Sequence, residues 1–101
     1  MKVLWTEQAF ARLSEIEAFI AGDDPAASQR FIARLIRRAS QLAKTPQMGR
    51  LVPELPESKL RELIEGNYRI VYRVRVRTVQ ILTVFEGHRR LPMDDLREGL
   101  K

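Results

Sequence analysis

Arg61 to Arg90 reads RELIEGNYRIVYRVRVRTVQILTVFEGHRR, and no other stretch of the chain narrows its fold so far. Within it Tyr68, Ile70, Tyr72, Val74 and Val76 alternate with Arg69, Val71, Arg73, Arg75 and Arg77. A β-strand points successive side chains to opposite faces. The alternation therefore predicts one apolar, aromatic face and one face of four guanidiniums broken only by Val71. After a short turn, Val79 to Phe85 supplies a second β-prone run that leads into Gly87-His88-Arg89-Arg90. The expectation is an antiparallel hairpin with a cationic surface, and its closing end holds the only histidine.

Such a hairpin must bury its apolar face, and the residues before it supply the cover. Lys2 to Trp5 is short and β-prone. Thr6 is placed to cap a helix, with Glu7 in the first turn where a negative charge favours the dipole. Phe10, Leu13, Ile16 and Ile20 then form one apolar stripe. Gly22-Asp23-Asp24-Pro25 stops this helix and starts another, with Asp24 as N-cap and Pro25 at the first helical position. The second helix is predicted from Pro25 to about Lys44, with Ala27, Phe31, Leu35, Ala39 and Leu42 inward. So short a loop makes the two helices antiparallel neighbours. Arg30, Arg34, Arg37 and Arg38 fall opposite the apolar stripe and read as a solvated face.

Thr45 to Lys59 contains Pro46, Gly49, Pro53 and Pro56, which predicts a loop rather than a helix or central strand. A loop this long in a compact domain is more often functional than idle, and it brings Arg50 and Glu54 within reach of the sheet. Leu60 to Ile64 is expected as a strand, Glu65-Gly66-Asn67 as a turn, and Leu91 to Leu100 as a terminal helix. The predicted order is β-α-α-β-β-β, an α+β fold formed by a single domain spanning residues 1–101.

Length and charge bound the function. One hundred and one residues suffice for one core with little to spare. The net charge of +5 is uneven. Residues 1–58 carry eight Lys/Arg against seven Asp/Glu, and residues 59–101 carry ten against six. A basic surface concentrated on one element points to nucleic acid or an acidic protein. The absence of cysteine excludes disulfides and thiolate metal sites. No apolar run approaches the roughly 20 residues of a membrane span, and Glu7 and Arg12 interrupt any signal-like start. The expected location is cytoplasmic, with no membrane partner.

Several enzyme signatures are missing. There is no phosphate-cradling glycine loop and no paired-histidine metal motif, and Ser14, Ser28, Ser40 and Ser58 sit in no nucleophile elbow. No cofactor and no metal are therefore expected. What remains is binding or cleavage of a phosphodiester by guanidiniums, which hold phosphate bidentately and stabilise a pentavalent transition state. In that chemistry His88 is the candidate general acid beside Arg89, Arg90 and Arg69, and Glu54 the candidate base. An exposed histidine in a turn is the alternative reading of His88.

Taken together, Gly49-Arg50, Pro53-Glu54-Leu55, Arg61-Glu62-Leu63, Tyr68-Arg69-Ile70-Val71-Tyr72-Arg73-Val74, Ile81-Leu82, Val84 and Gly87-His88-Arg89 resemble the RelE/ParE superfamily of type II toxin–antitoxin toxins. The resemblance covers nearly the whole chain. It implies a helical hairpin packed on one face of a small twisted, mainly antiparallel sheet, and a cognate antitoxin that neutralises the protein. RelE-like members cut mRNA on the ribosome, whereas ParE-like members inhibit DNA gyrase; plasmid stabilisation is a role associated with such modules.

By this resemblance Arg69 and Arg89 match RelE phosphate-binding arginines, with His88 and Glu54 as the remaining nuclease candidates. Arg61, Arg73, Arg75, Arg77 and Arg90 are expected to contact phosphate or a partner. The paired lysines of the RelE strand are absent around Arg61-Glu62-Leu63, and no tyrosine follows the last strand. The long helical hairpin is ParE-like. The leading expectation is a gyrase-binding toxin, the alternative a ribosome-dependent mRNA endonuclease, and the third a non-toxic module that binds only its antitoxin.

Overall fold

The computed structural model describes residues 1–101. The elements are β1 (Lys2–Trp5), α1 (Glu7–Ala21), α2 (Pro25–Ser40), β2 (Arg50–Leu51), β3 (Arg61–Glu65), β4 (Tyr68–Val74), β5 (Thr78–Glu86) and α3 (Met93–Leu96). Short 3₁₀ turns occupy Gln41–Ala43, Pro56–Ser58 and Arg97–Leu100. The sheet order is β1-β5-β4-β3-β2, with β1 parallel to β5 and every other neighbour antiparallel. The α+β fold expected from the sequence is thus present, with a two-residue edge strand added inside the long loop.

Local chemistry accounts for the helical hairpin. The Thr6 hydroxyl accepts a hydrogen bond from the Ala9 amide at 3.1 Å, and Asp24 accepts one from the Ala27 amide at 3.0 Å. Each cap satisfies an amide that has no partner within its helix. Pro25 occupies the first turn of α2, as expected. On α1 the buried positions are Ala9, Leu13 and Ile16. Phe10 turns outward, 57 % exposed, with its ring 6.1 Å from that of Trp5. On α2 the inward stripe is Ser28, Ile32, Leu35 and Ala39, rotated by one residue from the expected one at its N-terminal end. Ser28 sits there because its hydroxyl donates to the Glu17 carbonyl of α1 at 2.7 Å, so a polar side chain is satisfied at the helix–helix seam.

Two apolar clusters share the sheet. The larger joins the helices to Leu63, Ile70, Tyr72, Val79, Ile81 and Val84. The smaller lies on the opposite face and consists of Val52, Leu60, Val71, Leu82, Phe85 and Leu96. A bulge lets one strand serve both. Val71 pairs with Thr83 and Tyr72 with Ile81, so Leu82 is left without a partner and the facing of β5 changes phase.

Here the structure departs from the expected open cationic face. The odd-numbered side of β4 is roofed by the Val52–Leu60 loop and by α3, and Val71 is fully buried beneath them. The β4 strand also stops at Val74, because the Arg75 amide donates to the Thr78 carbonyl at 2.8 Å and closes the turn. Val76, expected on the apolar face, is 92 % exposed at the tip.

Candidate functional site

Under the roof lies a cluster of four charges. Arg69 faces Ile64 on β3 and Phe85 on β5, and its guanidinium stacks 4.9 Å from the Phe85 ring centroid. Its Nη1 and Nη2 donate to both oxygens of Glu54 at 2.8 and 2.7 Å, a bidentate pair. Its Nε donates to Glu62 at 2.8 Å, while the second oxygen of Glu62 accepts from Arg50 at 2.7 Å. Glu62 is 1 % exposed and Arg69 only 7 %. A Cβ at Gly87 would first crowd the Asn67 carbonyl oxygen at 3.2 Å and would touch the Arg69 stem at 3.4 Å.

The electrostatics follow from this geometry. Hydrogen bonds from Arg69 hold the Glu54 carboxyl down at about 2, against an ordinary 4.5. The same pair raises the Arg69 pKa, with Glu54 the largest cause. Two guanidiniums and two carboxylates leave the cluster with no net charge. To reach Arg69, a phosphate has to displace Glu54 from a bidentate contact.

The other candidates lie elsewhere. His88 sits in the turn after β5 with its side chain 86 % exposed. Its Nδ1 is 2.6 Å from Glu86 Oε1, and its amide donates to the same oxygen at 3.0 Å. The amide bond, then the ring contact, lowers the Glu86 pKa. No hydrogen bond or ion pair joins His88 or Arg89 to the Arg69–Glu54 pair. Arg89 and Arg90 instead rim an open cleft of about 620 Å³, floored by Ile16, Phe19, Tyr68, Val84 and Phe85. Arg61 donates to the Gly49 carbonyl at 2.7 Å and Arg73 to Gln80 at 2.6 Å, while Arg75 and Arg77 stand exposed at the hairpin tip. The structure thus brings Arg69 and Glu54 together as an ion pair, and it adds Glu62, to which sequence reasoning assigned no role. The signal for Glu62 was available: on β3 it falls opposite Val71, on the same side as Arg69.

A second polar cluster went unread. Arg12 of α1 donates to both oxygens of Asp95 at 2.8 and 3.1 Å, and the Thr83 hydroxyl donates to the same carboxylate at 2.9 Å. Burial alone raises the Asp95 pKa, yet the bonds from Arg12 and Thr83 outweigh it and the net shift is downward. These contacts fasten α3 across the part of β5 that β1 does not cover. No group of three His, Cys, Asp or Glu is arranged to hold a metal ion. No helix is long and apolar enough to cross a membrane.

A capped helical hairpin on one face of a five-stranded mixed sheet, with a charged cluster partly covered by a loop on the other, defines a class of small basic α+β proteins. The family model for the ParE toxin of type II toxin–antitoxin systems, parDE, matches residues 3–91, and the chain belongs to that family. A Sinorhizobium fredii protein named as a toxin, Y4kP, is 41 % identical over 93 residues, which cover 90 % of this chain and 93 % of that one. Toxin RelE2 of Caulobacter vibrioides is 40 % identical over 63 residues, or 62 % of this chain and 67 % of the relative. Among solved structures, a chain of the chromosomal ParDE system from P. aeruginosa superposes with a TM-score of 0.69 at 22 % identity, covering 85 % of this chain and 95 % of that one. That likeness concerns the fold.

Proposed function

We propose that this ParE-family toxin acts by binding DNA gyrase rather than by cutting RNA, and that a cognate antitoxin neutralises it. One observation carries the reading: Arg69, the best candidate for a phosphate-holding arginine, is enclosed by Glu54 and Glu62 with four charge-assisted contacts. A guanidinium committed to internal carboxylates is a scaffold for the loop above it, not a free transition-state clamp. His88 is exposed and bound to Glu86, and no hydrogen bond or ion pair links it to Arg69. Protein inhibitors need shape and surface, which this arrangement leaves intact.

The antitoxin reading rests on the cleft between α1 and the open part of β5. Its lining is apolar and aromatic, with Arg12, Arg89 and Arg90 beside Glu15 and Glu86. Glu15 is paired with Arg12 and Glu86 with His88, which leaves Arg89 and Arg90 without ion-pair partners. An amphipathic acidic segment matches that pattern, with apolar anchors below and carboxylates toward the rim. Purified toxin is expected to block supercoiling by gyrase and to leave mRNA on translating ribosomes uncut. Cleavage of ribosome-bound mRNA that is lost in His88→Ala and Arg69→Ala, with gyrase untouched, would replace this reading with the endonuclease one.

A further inference from the structure

The cations of this chain divide by pairing. Arg12, Arg34, Arg38, Arg50, Arg69 and Arg97 each lie within ion-pair distance of a carboxylate. The other twelve of the eighteen do not: six are Arg30, Arg37, Lys44, Arg89, Arg90 and Lys101, and the rest, Lys2, Lys59, Arg61, Arg73, Arg75 and Arg77, gather at one end of the sheet. Register places them there: Lys2 pairs opposite Thr78, Arg73 opposite Gln80 and Arg61 opposite Tyr72. Because β3 begins at Arg61, β4 outruns it and leaves a corner. Lys59, Arg61 and Arg73 line a cleft of about 570 Å³ in that corner, and no carboxylate lines it with them. Glu57 and Glu98 stand nearby on 3₁₀ turns, and neither forms an ion pair.

Backbone conformation adds a second, independent observation. Lys59 is the one non-glycine residue with positive φ, at 67°. A lysine in the left-handed region costs free energy that its neighbours must supply, and such strain concentrates where a side chain has to be aimed. Here the Leu60 amide donates to the Ser58 hydroxyl at 3.1 Å and the Ser58 amide to the Leu55 carbonyl at 3.1 Å, which fixes the turn.

We propose that this corner and the adjoining hairpin tip form a docking surface for the phosphate backbone of duplex DNA, engaged through Lys59, Arg61, Arg73, Arg75 and Arg77. Cations without internal counter-ions release condensed counter-ions when they meet a polyanion, which is the sequence-independent source of DNA affinity. The duplex is favoured over a single strand because no aromatic ring lines the cleft or stands on the tip, so unpaired bases find nothing to stack on. An acidic protein is a poorer match for the same reason, since protein hot spots centre on buried aromatic anchors. The surface does not depend on gyrase being the target. It lies at the opposite end of the sheet from the Gly87–Arg90 turn, because β4 and β5 run antiparallel between them.

Fluorescence anisotropy of the full chain with a labelled random-sequence duplex tests this. Binding should fall steeply with salt, with a log–log slope of about −4. Arg75→Gln/Arg77→Gln, which alters only the exposed tip, should weaken binding about tenfold and flatten the slope by about 2. Arg30→Gln/Arg37→Gln removes the same charge from the solvated face of α2 and should change affinity less than twofold. Equal losses in the two variants would reduce the effect to net charge and overturn the proposal, as would tighter binding to a single strand of the same length. Loss of gyrase inhibition as the target reading, with duplex binding intact and tip-dependent, would leave the surface standing. Gyrase inhibition with no tip-dependent duplex binding would remove the surface and keep the target.

Discussion

At the scale of single residues, the Arg69–Glu54 pair makes acid stability a sharp probe. Glu54 is 44 % exposed at its side chain, so solvent screens the pair and its contribution to stability is about 1 kcal/mol. Its folded-state pKa lies below the ordinary value of 4.5, at about 2. The contribution is therefore complete above 4.5 and is lost as the pH falls toward 2. Glu54→Gln should cost about 1 kcal/mol in urea unfolding at neutral pH, and the deficit should shrink as acid protonates the wild-type glutamate. A deficit that stays constant into acid would show that shape, not charge, holds the loop down. Glu54 also illustrates what the sequence allowed. Its reach over the sheet was legible from the loop's length, but its sharing of Arg69 with Glu62 was not. Periodicity reports which face a residue joins, and is silent about what covers that face.

Among elements, α3 and its 3₁₀ turn fall within the terminal helix expected over Leu91 to Leu100, but how α3 is anchored was not legible. Its four residues are too few to show a helical period, and its anchorage is polar. The anchor is Asp95, held by Arg12 and Thr83, beside the buried Leu96. Asp95→Ala should raise amide exchange throughout residues 93–100 by about an order of magnitude, from the loss of a charge-assisted bond of about 1.5 kcal/mol. Exchange in α2 should stay as it was; acceleration there of the same size would mean the contact supports the whole sheet rather than its strap. The helical hairpin shows the opposite case. Thr6, Asp24 and Pro25 announce its ends, because caps act within three residues. The outward turn of Phe10, the end of α2 at Ser40 and the phase at the start of α2 escaped, the last because Ala27–Phe31 and Ser28–Ile32 have the same spacing. A hydrogen bond to α1 chose between them.

For the whole molecule, the two apolar clusters are two sides of one wall. Ile70, Val71 and Tyr72 are consecutive, fully buried, and divided between the faces. Leu35→Ala on the helical side and Leu96→Ala beneath the strap should each destabilise by about 2–5 kcal/mol. Both should move one shared melting transition, because neither face keeps its floor once β4 is lost. Two separate transitions in either variant would mean that the faces unfold independently.

The pairing of β1 with β5 has a consequence for how the protein comes into being. The Thr6 hydroxyl meets the Leu82 carbonyl across 76 residues of sequence, and β1 pairs in parallel with a strand that follows almost everything else. A ribosome adding about 5–20 residues per second has therefore spent several seconds on the chain before that first strand has anywhere to bind. The helical hairpin is local and able to form early, whereas the sheet on which it rests closes only after β5 has been made. The domain is thus a late-maturing fold, its sheet assembled in nearly a single step once β5 has emerged.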